Sequence, residues 1–239
     1  MSGDMNTAMG NCLLMCAMVE ASFGGLGIGY DYLDDGDDCL IFLERGDLHI
    51  VRNVIPKMFI EFGMELKLEN IAYVPEHIKF CQARPVYDGS SWRMLRDPYR
   101  TMSGGCTGFS AHRDRYLVHA MFTTIGDCEL ALCNGMPIMQ SYALALKRHG
   151  RGVNRRVESN LLGDVYRRAI GLRPNVVGIT VAARISFMEA YGLTPTQQID
   201  IETQLDMWDI DITDVVDLTI DLNRYEEFID RVIHRFGGI

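Results

Sequence analysis

No stretch of the 239 residues approaches the roughly 18 uninterrupted apolar residues that a membrane span needs. The best candidate, Cys12 to Ala21, is short and carries Glu20. A secretory leader is not expected either, because the opening Met-Ser-Gly-Asp-Met-Asn has an acid and no basic residue. The cysteines number seven, an odd and scattered set without a C-x-x-C pair. That usage disfavours a disulfide framework or a zinc site and fits reduced thiols. Internal repeats and low-complexity tracts are missing too. What remains is an ordinary globular composition, 48% hydrophobic and 23% charged, in a chain long enough for one large domain or two small ones.

Positive charge is scarce overall, with a net of −9, but the balance is blocky. Between Ile199 and Asp230 eleven acids face one base, Arg224, so the rest of the chain carries +1. Between Lys147 and Arg173 eight bases face Glu158 and Asp164. Such a block could follow a phosphate backbone, though a solvated helical face is the commoner origin of the pattern.

Local signals predict a helix over 5–18, rich in Ala, Leu and Met. Strands follow over 28–33 and 39–43, around the tight acidic turn Asp34-Asp35-Gly36-Asp37-Asp38. Asp47 is placed to cap a helix running to about Phe62, with Pro56 kinking or restarting it. Three more strands are predicted over 64–68, 77–82 and 92–95, with a turn at Asp88-Gly89. After Asp97-Pro98 helical periodicity takes over, in segments 113–124, 137–148, 160–170, 179–191 and 225–236. The expected fold class is therefore α+β, with a mixed region over 1–97 and a mostly helical region over 98–239.

The chemistry-bearing residues lie in the first part. Asp37 and Asp38 are adjacent carboxylates at a hairpin tip, and oxygen-preferring divalent cations are their natural partners. A solvated acidic turn is the bland counterpart. A calcium-binding EF-hand loop starting at Asp31 fails, with Leu33 at position 3 and Phe42 at position 12. Upstream stand Ser2, Gly3, Asp4, Thr7 and Asn11. Thr7 and Asn11 share one helix face, and small polar side chains on one edge can read hydroxyl groups.

Ser2-Gly3-x-x-x-Thr7-x-x-x-Asn11 followed by Gly36-Asp37-Asp38 resembles motifs B and C of viral RNA-dependent RNA polymerases. The wording is similar to that of tombusvirus-like positive-strand RNA viruses. Downstream order agrees: Glu61-Phe62-Gly63 with Lys67 is similar to motif D, and Lys79-Phe80-Cys81-Gln82 to motif E. The resemblance implies a partial palm (antiparallel hairpin and sheet with packed helices) over 1–97 and a thumb with an acidic C-terminal region over 98–239. It implies that Asp37 and Asp38 hold catalytic Mg2+ or Mn2+, that Lys67 serves as general acid, and that Ser2, Gly3, Asp4, Thr7 and Asn11 bind the incoming nucleotide. Lys79, Cys81, Arg84, Arg148, Arg151, Arg155 and Arg156 would contact RNA. The implied partners are template and product RNA, nucleoside triphosphates, an upstream region carrying the fingers and motif A, and other viral replication proteins. The implied place is the host cytoplasm, in a membrane-associated replication complex.

Motif A, a strand with two spaced aspartates, precedes motif B in that family. A segment beginning within the palm and inactive alone is therefore expected. Asp206 with Asp211 and Asp209 with Asp214 have suitable spacing, but so acidic a tail supplies it by chance. A reverse transcriptase and a non-catalytic RNA-binding subunit are the alternatives. Asn11 disfavours the former, since an enzyme using deoxynucleotides excludes the 2′-hydroxyl with a bulky residue.

Overall fold

The computed structural model describes residues 7–104, 115–150 and 163–209. Helices and two separate two-stranded antiparallel sheets share the described chain, as an α+β class requires. The chain divides into two units. Unit 1 holds residues up to Tyr73 together with Ile78–Ala83, and unit 2 holds Val74–His77 and the chain from Arg84 onward. No described helix is long and apolar enough to cross a membrane.

Unit 1 opens with α1 (Thr7–Phe23), which outruns the predicted end at residue 18. Glu20 and Ser22 disguised the last turn, and the helix stops at Gly24, whose N–H donates to the Glu20 carbonyl. Val19 and Phe23, one turn apart, are buried on its inner face. Strands β1 (Tyr30–Asp35) and β2 (Asp38–Leu43) pair antiparallel, with Asp34 opposite Cys39 and Asp35 opposite Asp38. Helix α2 (Leu48–Glu61) buries Val51, Ile55 and Phe59 at successive fourth positions, closing a small core with Val19 and Phe23.

Asp47 does not cap α2 through its side chain. It lies in a short 3-10 turn, Arg45–Asp47, with helical φ and ψ, so its carboxylate is off the capping geometry. Pro56 sits inside α2 without ending it, at the loss of one backbone donor.

Two predicted strands are absent. Residues 64–68 are irregular: Met64 and Leu68 are exposed, and no described strand pairs with them, so an alternating pattern alone made no strand. Residues 77–82 form no strand either. A 3-10 turn, Pro75–His77, is followed by a reversal in which Phe80 and Ala83 exchange backbone hydrogen bonds.

Unit 2 begins its sheet with β3 (Ala83–Tyr87), which Pro85 concealed in the sequence, and β4 (Trp92–Arg96). At the turn between them the Asp88 carboxylate accepts bonds from the Ser90 and Ser91 N–H groups and hydroxyls and pairs with Arg93. Burial works against that charge, but these donors hold the Asp88 carboxyl well below its usual range.

Helices α3 (Pro98–Gly104), α4 (Arg115–Cys133), α5 (Met139–His149), α6 (Gly163–Ala169), α7 (Val181–Tyr191) and α8 (Pro195–Met207) follow. α4 runs nine residues past its predicted end, through Gly126. That glycine is a contact: a Cβ there would come 2.9 Å from the Ala143 carbonyl oxygen of α5. α8 was not predicted. Thr194 and Gln197 form a capping box with Pro195 in the first turn, so the Leu193-Thr194-Pro195 wording marks a helix start. Val86, Leu95, Phe122, Ile125, Tyr142 and Phe187 belong to the larger core of this unit. The helix predicted over 225–236 lies outside the described residues.

Candidate active site

The acidic hairpin turns in two residues. Gly36 has φ +79° and Asp37 stays on the negative side, the pattern of a type II′ turn with glycine first. A side chain at Gly36 would be strained by that φ. A Cβ placed there would also meet the Cβ of Asn11 at 3.7 Å. The fold thus sets Asn11, on the first half of α1, directly beside the Gly-Asp-Asp turn.

Asp37 is exposed and has no hydrogen bond or ion pair among the described residues. Asp38 is held differently: its Oδ2 accepts the backbone N–H of Cys81 at 3.0 Å. The Cys81 thiol donates to Asp35 Oδ2 at 3.1 Å. Cys81 and Gln82 have φ of 48° and 59°, so both central residues of the Phe80–Ala83 reversal are left-handed without being glycine. That conformation costs about 1–2 kcal/mol per residue and persists only where surroundings enforce it.

Behind the turn, Cys16 on α1 donates to Asp34 Oδ2 at 3.7 Å, while Asp34 Oδ1 is buried without a partner. Burial first, then the neighbouring Asp34 and Cys16, push the Cys39 thiol up to about 11. A hydrogen bond with Cys16, then burial, push the Tyr32 phenol up to about 12.

Two adjacent carboxylates with free oxygens suit a hard divalent cation, which takes its remaining ligands from water and substrate phosphates. Among the described residues no cluster of three or more His, Cys, Asp or Glu is arranged to hold a metal. Asp37 and Asp38 therefore fit part of a coordination shell.

The other predicted residues are placed as follows. Thr7 begins α1; Ser2, Gly3 and Asp4 lie outside the described residues, as do Arg151, Arg155 and Arg156. Lys67 is 84% exposed and pairs with Glu69 at 3.8 Å; the same Glu69 takes Lys79 at 3.4 Å. No hydrogen bond or ion pair among the described residues joins Lys67 to the hairpin. Arg84 donates to the carbonyls of Glu76 and His77, fastening the 3-10 turn of unit 2. Arg148 donates to the Leu205 carbonyl at 2.7 Å and lies 4.0 Å from Asp206, at the C-terminus of α8. Neighbouring Lys147 pairs with Asp127 and His149 with Asp209, so this part of the basic block is engaged within its own unit.

Unit 1 thus assembles Asn11, Gly36, Asp37, Asp38 and Cys81. Asp35 and Glu69 were missed by sequence reasoning. Asp35 had a signal, since the residue before a two-residue hairpin loop must face the residue after it.

A family model described as viral RNA dependent RNA polymerase matches residues 1–213. The chain is 34% identical over 211 residues to the RNA-directed RNA polymerase of Groundnut rosette virus (strain MC1), covering 86% of this chain and 24% of that protein. It is 35% identical over 212 residues to that of Melon necrotic spot virus, covering 86% of this chain and 26% of that protein. For Tobacco necrosis virus (strain A) the identity is 32% over 221 residues, covering 90% and 30%. The matched region spans 24–30% of the length of these relatives. No solved structure matches the chain.

Proposed function

The chain belongs to the viral RNA-dependent RNA polymerases, and on that premise we propose that it forms part of the palm, with the thumb, of an enzyme that adds ribonucleotides to an RNA 3′-hydroxyl. Residues 1–97 are the palm part and 98–239 the thumb with its acidic tail. The observation that carries the reading is the placement of Asn11 against Gly36, beside the free carboxylate of Asp37. A hydroxyl-reading amide and a metal-binding acid then share one edge of unit 1.

Asp37 would hold Mg2+ or Mn2+ with one or both oxygens, and Asp38 with the oxygen that Cys81 leaves unused. When bound, such ions activate the attacking hydroxyl and stabilise the leaving pyrophosphate. The chain's own residues do the rest. Asn11, with Thr7 and the Ser2-Gly3-Asp4 segment, hydrogen-bonds the incoming ribose, whose 2′-hydroxyl separates ribonucleotides from deoxyribonucleotides. Lys67, exposed and on a short tether to Glu69, donates a proton to the departing pyrophosphate. Lys79, Arg84 and the bases from Arg148 through Arg151, Arg155 and Arg156 position RNA through phosphates, with Cys81 in the same RNA-facing motif as Lys79.

A second strand bearing carboxylates completes the metal shell, supplied by an upstream region that also carries the fingers. Support comes from α1, which is apolar all round and exposes Met9 and Leu13 at 67% and 63%. The hairpin likewise exposes Leu33 and Phe42, and among the described residues β1 and β2 have no further strand beside them. Template and product RNA, nucleoside triphosphates and other viral replication proteins are the partners. The host cytoplasm, in a membrane-associated replication complex, is the place. The test is templated incorporation by a complete polymerase containing this segment: Asp37→Ala abolishes it while the melting temperature holds. Full activity in Asp37→Ala would refute the assignment.

A further inference from the structure

Asp35 and Asp38 are the last cross-strand pair of the acidic hairpin, directly beneath the Gly36–Asp37 loop. Like charges placed opposite one another across a hairpin repel and splay its end. One residue from elsewhere in unit 1 touches both. Cys81 gives its backbone N–H to Asp38 Oδ2 at 3.0 Å and its thiol to Asp35 Oδ2 at 3.1 Å.

We propose that Cys81 is a positioning residue that clips the two strands together at the base of the Gly36–Asp37 loop, fixing Asp38 and the aim of Asp37 toward the metal ion. This rests on the polymerase reading of the same turn and deepens it. Three features carry the clip. The donors reach one acid on each strand, from a residue 43 positions beyond Asp38 and 46 beyond Asp35. The reversal that presents them has two consecutive left-handed residues, neither of them glycine, a conformation that a merely connecting loop has no reason to keep. Phe80 and Ala83 close that reversal with mutual backbone bonds of 3.0 and 2.9 Å, which fixes the turn that carries the Cys81 amide.

The consequence for binding follows from hydrogen-bond capacity. Asp38 Oδ2 already accepts a donor, which orients its carboxylate and leaves Oδ1 for a cation. Asp35 is turned toward the thiol and away from competing for the same ion. Without the thiol contact, the strand carrying Asp35 is no longer tied to the Phe80–Ala83 reversal, the hairpin end frays, and Asp37 loses a defined direction.

The experiment uses the complete polymerase that contains this segment, with Mn2+ binding read by electron paramagnetic resonance without nucleotide, and the Mg2+ dependence of incorporation read separately. Cys81→Ala and Asp35→Ala are each expected to weaken Mn2+ binding by about threefold to tenfold, as loss of a hydrogen bond to a charged group does. The half-maximal Mg2+ concentration should rise by a similar factor, with the nucleotide KM unchanged. The double variant should be no weaker than either single one, because both remove the same contact. Cys81→Ser, which keeps a donor, should restore binding to within about twofold. Asp35→Ala alters an exposed side chain, so it tests the contact even if Cys81→Ala fails to fold. Unchanged Mn2+ affinity in Asp35→Ala, additive losses in the double variant, or no rescue by Cys81→Ser would overturn the clip. If Asp37→Ala abolishes Mn2+ binding while both clip variants are silent, only this inference fails. If Asp37→Ala itself leaves Mn2+ binding and incorporation intact, the polymerase reading of the turn fails with it.

Discussion

The two units treat charge in opposite ways. In unit 2 the buried acids are committed to structure. Glu129 is fully buried and paired with Arg96, and Glu202 takes a bidentate pair from Arg184 plus the Ile138 N–H. Ile138 itself has φ of 62°, a positive value rare for a β-branched residue, which the bond to Glu202 helps to hold. In unit 1 the acids crowd a hairpin end, Asp37 has no partner among the described residues, and Asp34 keeps one buried oxygen unsatisfied. The cores differ likewise: unit 1 closes over five buried apolar residues, whereas unit 2 draws on three or more helices and both strands of its sheet. The hairpin of unit 1 keeps carboxylates without partners among the described residues, which is the premise of the cation site proposed there.

If that contrast is right, variants should separate by unit. The largest effect belongs to Asp37→Ala in the complete polymerase. Incorporation should fall on the order of a thousandfold or more, several kcal/mol of transition-state stabilisation. Stability should stay within about 0.5 kcal/mol, as for an exposed side chain without partners. Asp206→Ala and Asp209→Ala should leave incorporation intact; loss of activity in either would move the metal site to unit 2 and break the comparison.

Next comes Glu202→Ala, expected to destabilise by about 3 kcal/mol because it strands a half-buried Arg184 and the buried Ile138 N–H. Urea unfolding measures this. A loss under 1 kcal/mol would mean that unit 2 does not depend on its buried pairs. Asn11→Ala should reduce discrimination between ribo- and deoxyribonucleotides roughly tenfold, about 1.4 kcal/mol at a lost hydrogen bond. Equal ratios of kcat/KM before and after would remove Asn11 from sugar recognition.

A pH dependence distinguishes unit 1 further. The Cys39 thiol is raised from 9.0 to about 11, so the folded chain keeps a proton that the unfolded chain gives up. Stability should therefore be undiminished below about pH 9 and decline as the pH climbs toward 11. In Cys39→Ala that part of the decline should vanish, and a thermal-melt series across this range decides it. The smallest effect is Lys67→Ala on stability, within about 0.5 kcal/mol, since its pair with Glu69 is solvent-exposed.

Much of the site was legible before any coordinates. The acidic hairpin needed only Asp-Gly-Asp between two apolar runs, and the helix carrying Asn11 needed only its Ala, Leu and Met content. Both are local signals, and both elements formed near their expected places. Asn11 and Gly36 could be put together only through resemblance, since nothing in residue spacing sets a helix edge against a hairpin loop. The failures share a cause. Residues 64–68 alternate like a strand yet found no partner, β3 hid behind Pro85, and the glycine at 126 is a helix contact where a stop was expected. Each was decided by what lay opposite in space. Cys81 was named for its place in a motif, and its contacts to Asp38 through the backbone amide and to Asp35 through the thiol join residues that no sequence spacing sets together.

The hairpin also has a place in time. Its strands are joined by a two-residue loop, and Cys81 arrives 43 residues after Asp38. The bond from Ser186 to Glu76 in unit 2 waits for 110 residues. At the usual pace of protein synthesis that interval is about 5–20 s, against microseconds for hairpin closure. On the ribosome, then, the acidic turn and its clip are finished while the chain that builds unit 2 is still being made. The acidic end of the hairpin therefore stands formed for seconds before the chain that completes unit 2 exists.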